Sequence, residues 1–373
     1  MPGIYIHIPY CKQACTYCDF HFSTNLSTKH LLVASIVKEL EQRHQYLKNI
    51  ELESIYFGGG TPSLLSVSEL ETIFEALKQF FTISKATEIT LEVNPDDIFA
   101  KNLTVWKKLG FNRLSIGLQS FNNDELIWMN RAHNAEQSIK SVLLAQDVGF
   151  DNITIDLIYG SKFQNLSTWE NTLTKALSLN TQHISSYNLT IEDKTVLGQK
   201  NARGKEPSVN DDLSSNQFLM MTGILKQAGF IHYEISNFAK QGFIAKHNSN
   251  YWLQKHYLGL GPSAHSFDGV SRQWNIKNNN AYIKAINNNT TYFEKEELGL
   301  NDRFNEYVLT HLRTFWGCDA KEIKLLFGEE IQTHFLNLVA EKKVDFEINT
   351  NNYTLTEKAR LFADGIAADF FIQ

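Results

Sequence analysis

The sequence predicts an α/β protein in which a parallel sheet, covered by helices and curled into a full or partial barrel, precedes a C-terminal helical domain. Two observations carry this prediction. Over the first ~190 residues, six β-rich runs alternate with amphipathic helical stretches, the pattern of successive strand–helix units. Beyond residue ~300 that alternation ends, and three helical segments precede two short β-rich runs around an Asn-rich turn.

The composition excludes several classes of protein. The chain has 373 residues, of which 43% are hydrophobic, and its 35 Lys and Arg against 41 Asp and Glu give a net charge of −6. The hydrophobic content is ordinary for a folded protein, and the negative charge argues against a nucleic-acid partner. No run reaches the ~18 apolar residues of a membrane span, and the N-terminus has no signal-peptide pattern. We therefore expect a cytoplasmic protein.

The strand–helix units are bounded by local signals. Ser66 with Glu69 is typical of a helix capping box, and Gly110 and Gly149 follow predicted helices just before the next strand. Residues ~192–212 are polar and predict a long surface loop. A helix over ~211–228 and a strand over 231–235 then resume the alternation. The six strands of the first half are predicted at residues 3–8, 53–57, 88–93, 113–118, 152–158 and 183–189.

We predict three regions in the chain. Residues 1–235 form the barrel, residues 236–295 form a connecting region with Asn runs that mark loops, and residues 296–373 form the C-terminal domain. Helices followed by a hairpin resemble a winged helix. Residues 301–373 nevertheless carry 8 basic and 12 acidic side chains, a net −4, whereas a DNA-binding domain needs a basic face. This domain is therefore predicted to serve packing or partner binding.

Three of the four cysteines lie close together directly after the first strand, in the pattern Cys11-x3-Cys15-x2-Cys18. Thiolates are soft ligands for zinc or for iron–sulfur clusters. Three thiolates can hold a [4Fe–4S] cluster with one iron left open, whereas a structural zinc would need a fourth ligand such as His7 or His21. The spacing favours the cluster, and Cys318 is predicted to be a small buried side chain.

The next strands also end in residues suited to ligand binding. Gly58-Gly59-Gly60-Thr61 follows strand two, where glycines form a tight turn or allow the backbone to approach a ligand. A carboxylate, Glu92, lies in strand three, and burying it is costly unless it bonds a hydroxyl or a cation. Gln119 ends strand four, and Asp156 lies inside strand five. Four successive strands thus direct polar or glycine residues to one face, which indicates a site there.

Taken together, these motifs resemble the radical S-adenosylmethionine (SAM) superfamily, in the branch that contains heme chaperones and oxygen-independent coproporphyrinogen III oxidases. The resemblance runs from the Tyr5-x-His7-Ile8-Pro9-x-Cys11 segment through Ser263–Ser266. It implies a partial (β/α)6 barrel with a C-terminal helical domain. It also implies that SAM chelates the open iron of a [4Fe–4S] cluster and, on turnover, is reduced to a radical that abstracts hydrogen from substrate.

The resemblance assigns roles to individual residues. Cys11, Cys15 and Cys18 would be the cluster ligands. The residues that would contact SAM or lie beside it are Tyr5, Tyr17, Gly59, Gly60, Thr61, Glu92, Gln119, Arg131, Asp156, Thr190 and His265. Among these, a carboxylate suits ribose hydroxyls and an arginine suits a carboxylate.

Two features distinguish the chaperones from the oxidases within this branch. The cysteine pattern of the oxidases is Cys-x3-Cys-x2-Cys-x-Cys, but in this chain the last position is Phe20. In addition, strand one begins at Gly3, without the N-terminal extension of the oxidases. A third feature agrees, because the segment from His247 to Trp252 matches the HNxxYW motif implicated in heme binding. In this resemblance His247, Tyr251 and Trp252 would contact heme, since imidazole ligates heme iron and aromatic rings suit a porphyrin.

One segment departs from the family pattern. Family members commonly carry Gly-Leu-Pro-Gly-Gln-Thr after strand five, whereas this chain has Gly160-Ser161-Lys162-Phe163-Gln164-Asn165. We therefore make no prediction of a substrate contact in this loop.

Our hypothesis is a heme chaperone that delivers heme to apo-hemoproteins. The alternatives are anaerobic decarboxylation of coproporphyrinogen III, against which Phe20 argues, and a closed zinc scaffold with an interaction role. A homodimer and a peripheral contact with membrane hemoproteins are both compatible with the heme-chaperone hypothesis.

Overall fold

The computed structural model describes residues 2–48 and 50–373. Within this part of the chain, no helix is long and apolar enough to cross a membrane. The strands are β1 (Gly3–Ile8), β2 (Ser54–Gly59), β3 (Glu88–Val93), β4 (Arg113–Gln119), β5 (Ile153–Tyr159), β6 (His183–Asn188), β7 (Ile231–Glu234), β8 (Asn237–Ala239), β9 (Tyr257–Leu260), β10 (His265–Phe267), β11 (Ser271–Asn275), β12 (Phe293–Glu297), β13 (Cys318–Asp319), β14 (Phe346–Asn349) and β15 (Asn352–Leu355). The α-helices are α1 (Lys29–Arg43), α2 (Val67–Phe80), α3 (Ala100–Leu109), α4 (Asn123–Trp128), α5 (Ala135–Asp147), α6 (Leu166–Ser178), α7 (Val196–Ala202), α8 (Asp211–Gln227), α9 (Lys246–Trp252), α10 (Asn279–Asn287), α11 (Leu300–Leu312), α12 (Ala320–Phe327), α13 (Glu329–Glu341) and α14 (Ala363–Ala368).

The six predicted strands form the centre of one large sheet. Its order is β12-β11-β10-β9-β1-β2-β3-β4-β5-β6-β8-β7, and β9 together with β1 to β6 runs parallel. Each predicted strand lies within two residues of its observed bounds. The local signals also hold, since Ser66 and Glu69 form a capping box and Gly110 adopts φ 113° after α3. The prediction of a parallel α/β sheet with an open (β/α)6 arrangement is confirmed.

One prediction about the polar segments is wrong. Residues ~192–212 contain helix α7, and its Leu197 is 1% exposed because it packs against Met129, Ile158 and Leu189. Residues 236–295, predicted as a connecting region, supply four strands of the large sheet that lie wholly within that range, as well as α9 and α10. Short edge strands and polar helices carry too little hydrophobic periodicity to be recognised.

The division into three domains stays a prediction, although two facts bear on it. The predicted boundary at residue 235 falls between β7 and β8, which pair with each other. The region 236–295 pairs with the barrel through β9, which runs parallel to β1.

The C-terminal part has the predicted order of helices followed by a hairpin. Strands β13, β15 and β14 form a small antiparallel sheet beside α11, α12 and α13. A hydrophobic core of its own includes Phe304, Phe335 and Phe370, and it also contains Cys318, which is fully buried as predicted. The winged-helix-like arrangement is therefore confirmed.

A buried ionic network fixes α1 against the antiparallel flank of the sheet. Glu39 is fully buried and pairs with Arg43 one turn later at 2.9 Å. Its carboxylate also accepts hydrogen bonds from the backbone N–H of Gly261 at 2.8 Å, from Asn275 at 2.8 Å and from the hydroxyl of Tyr282 at 2.5 Å. Because a buried charge is tolerated only with such partners, this network depends on each of its members.

We expect Arg43→Ala to lower the free energy of unfolding by ~3 kcal/mol, because it leaves Glu39 buried without its cation. Lys140→Ala is the matched control, since Lys140 pairs with Glu136 at the same i,i+4 spacing on the exposed face of α5. Urea denaturation followed by circular dichroism measures both. A shift in midpoint for Lys140→Ala as large as that for Arg43→Ala would contradict the role given to burial.

Candidate functional site

A cavity of about 510 Å³ lies at the carboxyl ends of the parallel strands, where α/β barrels carry their functional residues. It brings together all three clustered cysteines and nine of the eleven predicted SAM contacts. The lining residues predicted from the sequence are Cys11, Cys15, Cys18, Tyr17, Gly59, Gly60, Thr61, Glu92, Gln119, Arg131, Asp156 and Thr190.

The cysteine loop is held by the loop that follows α4. The Asn130 side chain donates to the carbonyl of Ala14 at 2.7 Å and accepts from Gln13 at 2.7 Å. The backbone N–H of Thr16 donates to Met129, and its carbonyl accepts from Leu197 of α7. Cys11 is anchored separately through a backbone bond to the carbonyl of Ser23 at 3.0 Å. The thiols therefore project into the cavity from a loop that other elements fix on both sides.

The glycine run after β2 is required by close packing. Gly59 adopts φ 105°, and a Cβ on it would come within 2.4 Å of the His7 ring. A Cβ on Gly60 would clash with the backbone of Ile8 and Tyr10, and the Gly60 N–H donates to the Ile8 carbonyl at 2.9 Å. The run thus seats the loop after β1 and also lines the cavity, so both interpretations of the motif apply.

Glu92 projects into the cavity from β3 and is held by two donors. The Tyr56 hydroxyl donates to Oε1 at 2.7 Å, and the Gly59 N–H donates to Oε2 at 3.0 Å. Burial raises the pKa of Glu92 to about 7; the bond from Tyr56 opposes this shift, and the charge of Asp156 adds to it. Near neutral pH the Glu92 carboxyl group is therefore partly protonated.

Asp156 lies two strands away, where Ser115 of β4 donates to both carboxylate oxygens at 3.3 and 3.4 Å. Burial raises the pKa of Asp156 to about 6, while a bond from Ser185 and the charge of Arg113 oppose the shift. The cavity floor thus carries two carboxyl groups with raised pKa values, which is typical of a ligand site.

Arg131 supplies positive charge to the cavity, as does Lys12, which pairs with Asp96 at 2.8 Å. The Arg131 guanidinium donates to Asn94 at 2.6 Å, to the Gly117 carbonyl at 2.9 Å and to the Cys15 sulfur at 3.3 Å, while its buried Nε has no partner among the described residues. Gln119 ends β4 at φ 65°, a backbone conformation that a non-glycine residue adopts at some energetic cost. A guanidinium that lines the cavity fits an anionic group of a ligand.

Comparisons with known proteins show the family to which the chain belongs. The family model of the Radical SAM superfamily matches residues 5–176. The heme chaperone HemW of Bacillus subtilis is 31% identical over 99% of this chain and 99% of its own length. HemW of Lactococcus lactis is 33% identical over 89% of each chain.

The chain belongs to the HemW family of the radical SAM superfamily. Among solved structures, coproporphyrinogen III oxidase (HemN) from Escherichia coli, described as a radical SAM enzyme, superposes with a TM-score of 0.85 over 99% of this chain and 90% of its own. At 22% identity, this similarity shows that the HemW-family chain and HemN share a fold.

Cys11, Cys15 and Cys18 all line the cavity, which a cluster held by three thiolates requires. Within residues 2–48 and 50–373, no three His, Cys, Asp or Glu side chains are placed to hold one metal ion. His7 and His21, the zinc ligands considered from the sequence, do not line the cavity. The His7 ring bonds to the Tyr5 hydroxyl and to the His21 carbonyl, and His21 bonds to Asn279. Burial raises the pKa of Cys18 to about 11, so an anionic thiolate here needs a cationic partner such as bound iron.

Two predicted SAM contacts lie elsewhere. Tyr5 is beneath the cavity, where its hydroxyl bonds to His7 and its ring stacks on Tyr56. His265 is an exposed residue of β10 whose ring lies near Trp274. Neither lines the cavity.

The predicted heme motif forms helix α9, and His247 is 2% exposed. Its Nδ1 bonds to Ser54 at 2.8 Å and its Nε2 to Tyr251 at 3.1 Å, so both nitrogens are engaged. Trp252 lies under the guanidinium of Arg313. Iron coordination by His247 would require the ring to give up one of these two hydrogen bonds, and the heme role of this motif stays a prediction.

Sequence reasoning missed several residues of the site. Asn94 bonds to both Arg131 and Thr61, and Ser115 orients Asp156. Arg113, buried on β4, does not line the cavity, but its charge opposes the rise in the pKa of Asp156. The available signal was period two, because 113, 115 and 117 alternate along one strand and point to the same face as Glu92.

We expect Glu92→Gln to flatten the pH dependence of stability. The folded-state pKa of Glu92, about 7, lies above its ordinary value of 4.5, so the folded state binds the proton more tightly. Its contribution is therefore full below pH 4.5 and is lost as pH rises through 7, on the order of 3 kcal/mol. Urea titrations at pH 5, 6, 7 and 8 test this, with the exposed Glu71→Gln as control. Parallel curves for wild type and Glu92→Gln would contradict it.

Proposed function

We propose that this protein is a heme chaperone that binds heme and transfers it to apo-hemoproteins, on a scaffold that binds a [4Fe–4S] cluster and SAM. One observation carries the proposal, namely the 31% sequence identity with HemW of Bacillus subtilis over 99% of each chain. The cavity supports it, because the three cysteines and the polar groups expected for SAM line one space.

The residues of the cavity fit the two cofactors. Cys11, Cys15 and Cys18 would hold the cluster, and the guanidinium of Arg131 would bind the carboxylate of SAM. Glu92 would accept hydrogen bonds from ribose hydroxyls. When bound, cluster and SAM supply one-electron chemistry, and the protein's part is to orient them and to exclude water.

The alternative function is oxidative decarboxylation of coproporphyrinogen III. The fold likeness to HemN makes it worth testing. Phe20 argues against it, because it stands where the oxidase pattern has a fourth cysteine. The Phe20 side chain borders the cavity and is 72% exposed. A phenyl ring offers an apolar surface but no sulfur.

Further parts of the proposal concern partners and place. We propose a cytoplasmic protein whose acceptors are apo-hemoproteins, with peripheral contact where an acceptor is membrane-bound. A homodimer and heme contacts at His247, Tyr251 and Trp252 also stay predictions. Nucleic acid is not expected, given the net charge of −6.

Anaerobic reconstitution should give about four irons with sulfide per chain. Cys15→Ser should lose most of this iron, because two thiolates cannot anchor the cluster. Cys318→Ala is the matched control, since it removes a thiol far from the cavity. Iron, sulfide and zinc analysis measures the outcome. One zinc per chain without sulfide would contradict the cluster and favour the zinc scaffold.

The reconstituted protein should bind heme, transfer it to an apo-hemoprotein, and form no protoporphyrinogen IX from coproporphyrinogen III with reduced cluster and SAM. Absorption spectra follow heme binding and transfer, and chromatography follows the porphyrins. Sustained formation of protoporphyrinogen IX would contradict the chaperone proposal and favour the oxidase.

A further inference from the structure

We propose that His247 is a positioning residue for Glu92 and that it acts through the ring of Tyr56. The inference rests on the proposed function in one respect, because it takes Glu92 as a SAM contact. It gives the HNxxYW motif a role inside the barrel that is distinct from heme coordination.

Helix α9 lies across the amino ends of β1, β2 and β3, on the side of the sheet that faces the cavity. The Glu88 carboxylate accepts the backbone N–H groups of Lys246 and His247, both at 3.0 Å. His247 Nδ1 bonds to Ser54, the first residue of β2. A Cβ on Gly3, the first residue of β1, would approach the same nitrogen to 3.4 Å. The His247 ring is thus fixed on the inner face by three neighbouring strands.

The ring of Tyr56 connects His247 to the cavity. It stacks on the His247 ring with centroids 4.9 Å apart at 24°, and its hydroxyl donates to Glu92 at 2.7 Å. The Tyr5 ring stacks beside both of them. The Gly59 N–H is the other donor to Glu92. One of the two contacts that orient Glu92 therefore depends on a ring that rests on His247.

His247 is suited to this role because its ring is neutral and both of its nitrogens are hydrogen-bonded. Burial lowers the pKa of His247 to about 3, so the imidazole is neutral at physiological pH. A neutral imidazole has one donor and one acceptor, which the hydroxyls of Ser54 and Tyr251 satisfy. Truncation to alanine would leave a hole under Tyr56, into which the ring would sink away from Glu92.

The test measures the dissociation constant for SAM on anaerobically reconstituted holoprotein between pH 6 and 8.5. His247→Ala and Tyr56→Phe should each weaken SAM binding about tenfold, the cost of a charge-assisted hydrogen bond. The Tyr56 hydroxyl lowers the pKa of Glu92, so Tyr56→Phe should raise that pKa. The loss of SAM affinity on acidification should therefore occur at a higher pH in this variant. The double variant should lose little more than either single variant, since both act on one contact.

His183→Ala is the matched control. His183 is fully buried on the same sheet and bonds to the Tyr233 hydroxyl at 2.8 Å, but it has no contact with Tyr56 or Glu92. Its removal should leave SAM affinity within twofold of wild type. An equal loss in His183→Ala would show that any buried cavity weakens SAM binding, and the inference would be wrong.

The remaining outcomes also decide the question. Unchanged SAM affinity in His247→Ala, with loss of heme absorption, would assign His247 to heme and overturn the inference. If His247→Ala does not fold, Tyr56→Phe decides, because it removes a single oxygen. Unchanged affinity and pH profile in that variant would overturn the inference. A wild-type holoprotein that holds its cluster but binds no SAM would contradict the proposed function itself, and this inference with it.

Discussion

The interior of the barrel is organised around one buried cation, Arg113. Its side chain is almost fully buried and bonds to the hydroxyls of Thr90 and Thr154 on the flanking strands, while its Nε lies 4.0 Å from the Glu88 carboxylate. A lone guanidinium in such a place would be costly. The acids of the inner face offset that cost, because the charge of Arg113 lowers the pKa of Asp156 against the opposing effect of burial.

This charge distribution runs the length of the inner face. Glu88 lies at the amino end, where it caps α9, and Glu92 lies four residues further along β3, where it lines the cavity. Period two places both on the same side of β3. The cation at Arg113 lies between the floor of the barrel and the cavity. Burial raises the pKa of Glu92 in the cavity and lowers that of His247 of α9, and the charge of Arg113 acts to lower both pKa values.

Physical causes explain which parts of this arrangement could be predicted from the sequence and which could not. A buried parallel strand such as β5 is recognised because it is a nearly continuous hydrophobic run. The cysteine and glycine loops are recognised because chemistry restricts their residue types. Helix α9 was missed because Lys246–Trp252 is mostly polar, and its polar groups are satisfied by Ser54 and Glu88, which are distant in sequence. Long-range partners leave no local signal.

Helix α9 also borders the C-terminal part of the chain. Trp252, at its last turn, lies 5.2 Å from the guanidinium carbon of Arg313, which pairs with Asp364 of α14. At the other end, His247 supports Tyr56. A seven-residue helix has little stability of its own, so its position is set by what packs on it. Contacts with the barrel floor and with the C-terminal helices therefore both fix the position of His247. The residues that orient Glu92 thus extend beyond the barrel strands.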